Sequence, residues 1–187
     1  GWSMQQWGLV PFWVKDAKKA ADIQKHTGNA KCETIFEKPS FRHAIKTQRC
    51  IVPVSGFFEW QTVGKQKLPY FIYPKSDAFF SLGGVYDYWK NPETGQTLSS
   101  FSIITTPANA LMSEIHNAAK RMPLIIHPTH EQSWLKNDLN TMEIEQLMLP
   151  FADEAMQAYR VSTAINNVRN LRNVPQSIER IADGLNF

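Results

Sequence analysis

The chain has 187 residues, 43% of them hydrophobic and 20% charged, with nine glycines. This is enough apolar material for one domain to bury a core without staples, and it excludes a disordered or collagen-like chain. No apolar run approaches the ~18 residues of a membrane span, and nothing at the start reads as a signal peptide. The net charge of +3 is unevenly spread. Lys38, Arg42, Lys46, Arg49, Lys65, Lys67 and Lys75 share a stretch with one acid, Glu59, and Arg160, Arg169 and Arg172 share another with none. A basic, aromatic-rich face is the footprint of a polyanion site, although a solvated surface has the same composition.

In chain order, Met4–Val10 is expected to form a strand that Pro11 ends. A strand so near the first residue needs a partner, and the numbering opens on Gly1 rather than methionine, so a preceding segment is expected. Asp16 to His26 is expected to be an exposed helix capped by Asp16 and ended by Gly28. Gly28–Asn29 reads as a turn. Ser40 to Thr47 is expected to be a short helix with Ser40 as its cap. Arg49–Pro53, Gly56–Trp60 and Tyr70–Tyr73 follow as strands, with a lysine-rich turn before the last. Phe79–Tyr88 and Leu98–Thr105 flank Asn91-Pro92-Glu93-Thr94-Gly95, a hairpin signal. Then come a helix at Ala108–Ile115, a strand at Leu124–Ile126, and helices at Thr129–Leu135 (Thr129 as cap, Gln132 at the box position) and Thr141–Leu149. Tyr159–Val161 is a late strand. The sum is an α+β domain on a curved, barrel-like, mostly antiparallel sheet with short peripheral helices, expected to occupy residues 1–187 as a single domain.

Four places could carry chemistry. Glu59 lies in Gly56-Phe57-Phe58-Glu59-Trp60. Strand alternation sets Phe57 and Glu59 on one face and Phe58 and Trp60 on the other. Rings beside a carboxylate raise its pKa and suit it to passing protons, while the surrounding lysines pull the other way; a surface Glu paired with a lysine would look the same. His116 follows a short helix and precedes the basic turn to Arg121, on a loop between rigid elements, and imidazole titrates near neutrality. A surface or capping histidine is the plain alternative, and Asn117 could be a plain C-cap. Asn29-Ala30-Lys31-Cys32-Glu33-Thr34 and Asn166-Asn167-Val168-Arg169-Asn170 are the other two, each also readable as an ordinary polar loop. No histidine pair has i,i+4 spacing, and His127-Pro128-Thr129-His130 finds no third ligand beyond Glu131, so no metal or other cofactor is called for. Cys32 and Cys50 make neither a disulfide framework nor a zinc pattern and suit a reducing cytosol. Cys50 reads as core, and Cys32 has only Lys31 nearby to activate it.

Taken together, Trp7-Gly8-Leu9-Val10-Pro11-Phe12-Trp13, Asn29-Ala30-Lys31-Cys32-Glu33-Thr34, Arg49–Pro53 running into Gly56–Trp60, and Ile115-His116 with Arg121-Met122-Pro123 resemble the SOS-response-associated peptidase (SRAP) family of abasic-site shield proteins. The resemblance spans about residues 5–170 and implies the SRAP fold. It also implies a mechanism. Members bind single-stranded DNA at abasic sites, and a cysteine exposed by loss of the initiator methionine attacks the sugar aldehyde. Its α-amine forms a Schiff base and its thiol closes a thiazolidine. An α-amine with a pKa near ~7.7 is substantially nucleophilic at neutral pH, and a thiol on the same residue traps the imine with intramolecular advantage.

The resemblance assigns Glu59 to proton handling at the amine and to loss of the leading methionine. It assigns His116 to protonation of the sugar oxygen and to crosslink reversal, and Asn29 to positioning. Trp60, Trp7 and Trp13 become a stacking platform, and Lys31 and Arg121 phosphate contacts, with Lys38 and Arg169 adding to the DNA-facing charge. It implies abasic single-stranded DNA as partner, no cofactor, no membrane, a monomer and a cytoplasmic location. Three departures stand out. Gly1-Trp2-Ser3 replaces the family's Met-Cys-Gly-Arg opening. Lys31 stands where arginine is usual, keeping charge but losing the fork. Asn117-Ala118-Ala119 lengthens the loop after His116. Two other readings fit the same residues: a non-covalent single-strand binding module, and a thiol peptidase using Cys32 with His116.

Overall fold

A computed structural model describes residues 1–167 and 174–181. The chain gathers into two compact units. Unit 1 comprises Gly1–Val52, Ser81–Thr106 and Pro123–Leu149, and unit 2 comprises Pro53–Phe80, Pro107–Met122 and Pro150–Phe187.

Strands β1 (Gln6–Trp7), β2 (Asn29–Lys31), β3 (Arg49–Val54), β6 (Phe80–Lys90), β7 (Thr97–Pro107), β8 (Arg121–Pro123) and β9 (Ile125–Ile126) form a seven-stranded sheet of order β1-β7-β6-β3, with β2 and β8 also on β7 and β9 on β6. A second, three-stranded sheet has the order β10-β5-β4, from β4 (Phe57–Val63), β5 (Gln66–Pro74) and β10 (Met156–Arg160). The β6–β7, β6–β9, β4–β5 and β5–β10 pairs are antiparallel, whereas β1 and β2 run parallel to β7. The fold is mixed α+β with short helices. Neither sheet closes on itself among the described residues, so the expected barrel-like curvature has no closed barrel behind it.

The β6–β7 hairpin follows from its turn. Asn91 Oδ1 accepts from the Glu93 amide at 2.9 Å, and Gly95 takes φ +71°, a left-handed conformation that favours glycine. Helix α1 (Ala17–Gln24) begins at Asp16, whose carboxylate accepts from the Lys19 amide at 2.7 Å.

Four expectations need correction. The first strand is only Gln6–Trp7, because Gly8 turns the chain away at φ +101°. Helix α2 spans only Ala44–Thr47; Ser40 does not cap it, since Phe41 and Arg42 first fold back as turns onto the Lys38 carbonyl. At Pro128–His130 the chain makes a 3-10 turn before α4 (Glu131–Trp134), and the cap is the His127 ring, which accepts from the Thr129 amide, rather than Thr129 with Gln132. The capping box sits instead on α5 (Thr141–Gln146), between Asn140 and Glu143. Arg121–Pro123 forms strand β8 where only a basic turn was expected.

The core of unit 1 gathers Leu9, Ala30, Ile35, Phe41, Ile45, Val85, Ile104, Leu124 and Trp134. Buried inside it is Arg49, counted above among the surface charges. Its Nε donates to the Trp134 carbonyl at 2.8 Å, and its Nη1 donates to the Ile45 and Lys46 carbonyls at 2.7 Å each. Its Nη2 donates to the Lys136 carbonyl, and the guanidinium lies over the Trp134 ring. Burial lowers its pKa, with Asp138 opposing. Arg49 is therefore a four-carbonyl staple rather than a ligand for a polyanion. Cys50, the next residue, is half-buried, and burial pushes its thiol up to about 12, which keeps it protonated and unreactive.

Unit 2 has its own aromatic core. Phe71, Val161 and Ile165 are buried, with Phe58, Trp60, Tyr73 and Tyr159 packed on them. Phe58–Phe71 and Phe71–Tyr159 meet as tilted pairs with centroids 5.3 and 5.8 Å apart, a geometry worth roughly 0.5–1.5 kcal/mol a pair beyond area burial.

Candidate functional site

Each unit holds one cavity that gathers residues singled out in the sequence. In unit 1, Asn29 and Lys31 stand at the two ends of β2 with their side chains exposed, while Ala30 between them is fully buried. The reading of Gly28–Asn29 as a plain turn is corrected. Asn29, Ala30 and Lys31 pair in parallel register with Ile103, Ile104 and Thr105 of β7. Asn29 and Lys31 line a cavity of about 480 Å³ with Asp22, His26, Thr27, Thr34, Lys38 and Phe41. Trp7 and Trp13, 61% and 42% exposed, are tied to the same neighbourhood. The Trp7 indole donates to the Gly28 carbonyl at 2.7 Å, and the Trp13 indole donates to the Pro39 carbonyl at 3.4 Å. Five of the expected DNA-facing or positioning residues of unit 1 thus fall together: Asn29, Lys31, Lys38, Trp7 and Trp13. Cys32 begins the 3-10 turn that follows β2 and packs against the unit 1 core.

In unit 2, Glu59 and His116 lie together. Glu59 sits in β4, with Phe58 and Trp60 on the opposite, core-facing side, as strand alternation requires. His116 ends helix α3 (Ala110–Ile115), which Asn109 caps by accepting from the Met112 amide at 2.9 Å. Glu59 Oε2 is 3.5 Å from His116 Nδ1. Glu59 Oε1 accepts from the Trp60 amide at 3.0 Å. His116 Nδ1 also lies 3.0 Å from the Arg121 carbonyl oxygen. A carbonyl can only accept, so Nδ1 carries a proton and donates it, and the neutral imidazole presents an unprotonated Nε2. The carboxylate steadies the ring, and a proton taken up at Nε2 makes that nitrogen a donor. The side chains are 22% (Glu59) and 24% (His116) exposed, half-shielded yet open to a ligand.

The cavity around this pair is about 780 Å³ and is lined by Phe58, Glu59, Trp60, Lys65, Lys67, His116, Ile165 and Asn166. The Trp60 indole N–H donates to Asn166 Oδ1 at 2.6 Å, and Asn166 Nδ2 donates to the Lys67 carbonyl at 2.9 Å, which fixes the tryptophan ring. Lys67 Nζ donates to Thr62 Oγ1 at 2.7 Å. Two lysines, an aromatic ring and the acid–base pair therefore all line this cavity. Arg121 is half-buried at the start of β8, with its carbonyl facing His116. Arg169 lies outside the described residues.

Sequence reasoning missed Lys65 and Lys67 as wall residues and Asn117 as more than a helix cap, whereas Asn166 belongs to one of the four places singled out above. Lys65 and Lys67 carried a signal, their place in the lysine-rich turn. Asn117 carried none, because its partner Thr62 lies on another element.

Comparison with known proteins shows what the chain is similar to. The profile of the SOS response associated peptidase (SRAP) family matches residues 2–168. The abasic site processing protein YoqW of Bacillus subtilis (strain 168) is 41% identical over 177 residues, which span 93% of this chain and 74% of that protein. The abasic site processing protein HMCES of Xenopus tropicalis is 31% identical over 196 residues, 94% of this chain and 56% of that one. A crystal structure of a protein from Bacteroides thetaiotaomicron aligns with a TM-score of 0.90 at 44% identity, over 94% of this chain and 75% of the other.

Proposed function

The chain belongs to the SRAP family, and from that premise we propose that it processes abasic sites in single-stranded DNA, with Glu59 and His116 moving the protons of a covalent capture. The observation that carries the reading is the Glu59–His116 pair itself. A carboxylate 3.5 Å from Nδ1 and a carbonyl 3.0 Å from the same atom leave Nε2 as the one ring nitrogen able to act on a ligand.

With a proton taken up at Nε2, His116 gives it to the ring oxygen of the abasic sugar as the C1′–O4′ bond breaks, and the C1′ hydroxyl passes its own proton to water to leave an aldehyde. Glu59 accepts the proton released when an N-terminal α-amine adds to that aldehyde, and loss of water gives an imine. The thiol of the same N-terminal cysteine adds across the imine; a carbon–sulfur bond forms and the thiol proton passes to nitrogen, closing a thiazolidine. The capture requires the α-amine and thiol of an N-terminal cysteine, and Glu59 and His116 are the groups that serve them. Reversal runs through the same proton on His116. Glu59 also assists the hydrolysis that removes the leading methionine and frees the amine. In unit 1, Asn29 is assigned to positioning, Lys31 and Lys38 to phosphates, and Trp7 and Trp13 to stacking on bases; in unit 2, Arg121 and Arg169 are assigned to phosphates and Trp60 to stacking.

The test uses the full reading frame with single-stranded DNA bearing one abasic site. The expected result is a product that survives denaturant. Glu59→Gln slows its formation while equilibrium affinity for the DNA stays within about twofold, because the lost function is proton transfer. His116→Gln slows both formation and reversal. Salt-sensitive binding with no covalent product at any pH between 5 and 9 supports instead a non-covalent single-strand binding module, for which Trp60 beside Lys65 and Lys67 would suffice.

A further inference from the structure

Among the described residues, strand β4 is the end strand of its sheet, so every second residue turns an N–H and C=O away from β5, where no strand meets them. Pro69, which has no N–H, lies opposite Trp60, so Trp60 and Thr62 belong to the outward-facing set. Both are capped by side chains of the site. The Trp60 N–H donates to Glu59 Oε1 at 3.0 Å. The Thr62 N–H donates to Asn117 Oδ1 at 3.0 Å, and the Thr62 carbonyl accepts from Asn117 Nδ2 at 2.9 Å. A carboxamide carries an acceptor and a donor side by side on one plane, as a peptide group does, so Asn117 meets the strand edge as a further strand would.

The same turn has other ties. Gln61 Nε2 donates to the Glu114 carbonyl at 3.1 Å, and the Lys120 N–H donates to the His116 carbonyl at 2.8 Å. Asn117 directly follows His116, and Thr62 lies three residues beyond Glu59 on one rigid strand. The two-point clamp thus fixes the backbone of the imidazole relative to that of the carboxylate.

We infer that Asn117 is a positioning residue: it fastens the His116 turn to the open edge of β4 and thereby sets the Glu59–His116 distance and the Nδ1–H tautomer. The rate consequence rests on the function proposed above; the tautomer consequence does not. The lengthened loop after His116 is then no loss of aim, since its first residue is the fastening.

The test compares wild type, Asn117→Ala and Asn117→Asp in the full reading frame. Aspartate keeps an acceptor for the Thr62 N–H but sets its second oxygen against the Thr62 carbonyl, so it behaves like alanine rather than asparagine. Nitrogen NMR of the His116 ring at a pH where it is neutral reads Nδ1–H in wild type and a mixture with Nε2–H in both variants. Covalent capture slows about tenfold, since a small misplacement of a proton donor is costly, while half-saturating DNA moves less than twofold. In a His116→Gln background the Asn117 substitution adds no further slowing, as expected of a residue acting through the histidine. An unchanged tautomer in both variants overturns the inference, as does a slowing that adds in full to His116→Gln. If wild type forms no covalent product, the proposed function has failed, and the tautomer measurement alone still decides the role of Asn117.

Discussion

In unit 1, the side chains that face the cavity are carried by a strand whose middle residue, Ala30, is sealed in the core and whose backbone is paired to β7. In unit 2, Glu59 accepts from the outward-facing Trp60 N–H of β4, and His116 is tied to the same edge only through its neighbour Asn117, which bonds both backbone groups of Thr62. The first arrangement ties the site to the stability of the fold. The second ties it to a few exposed or half-buried bonds, each worth only about 1 kcal/mol net. Damage to the support of unit 1 should therefore appear as unfolding, whereas damage to the support of unit 2 should appear as altered chemistry in a folded protein.

The largest expected effect is at Arg49. Arg49→Leu removes the donors to four carbonyls inside unit 1, which should cost roughly 3 kcal/mol or more in urea unfolding. A loss below about 1 kcal/mol would dissolve the contrast between the units. Next is Ala30→Leu, which adds volume where none is free and should cost about 1–3 kcal/mol. Asn117→Ala, by contrast, should leave the unfolding midpoint within about 1 kcal/mol of wild type while slowing capture.

Cys50 gives unit 1 a pH signature. The native thiol holds its proton to about pH 12, whereas the unfolded chain releases it near the ordinary value of 9.0. The contribution of this group is present in full below pH 9 and lost as pH rises toward 12, because the unfolded state then binds fewer protons. Urea midpoints of wild type should fall more steeply than those of Cys50→Ala between pH 8.5 and 10.5; parallel curves would contradict this. The smallest effect is at Lys120, which holds φ +50° in the turn after His116. Lys120→Gly relieves a left-handed conformation and should raise stability by about 0.5–1 kcal/mol, measured by thermal unfolding.

Much of this molecule was legible where local chemistry decides. The Asn91–Gly95 turn, the Asp16 cap and the alternation around Glu59 each need only a few neighbouring residues, and all appear in the structure. The rest depends on partners distant in sequence. Asn29–Lys31 becomes a strand only because β7 lies beside it, seventy residues on. Arg49 joins the core only because the carbonyls of Trp134 and Lys136 converge on it. The Ser40 and Thr129 caps failed because neighbouring turns and the His127 ring took those roles. Among the site residues, Glu59 and His116 could be named from sequence, but the open strand edge that couples them could not.

The most direct measurement is the intact mass of the full-length protein after incubation with an abasic single-stranded oligonucleotide. A species equal to protein plus DNA less one water, formed much more slowly by Glu59→Gln, is the predicted result, since an aldehyde and an aminothiol condense with loss of one water. A spectrum showing only the unmodified protein across neutral pH, or equal rates for the Glu59→Gln variant, would contradict the account.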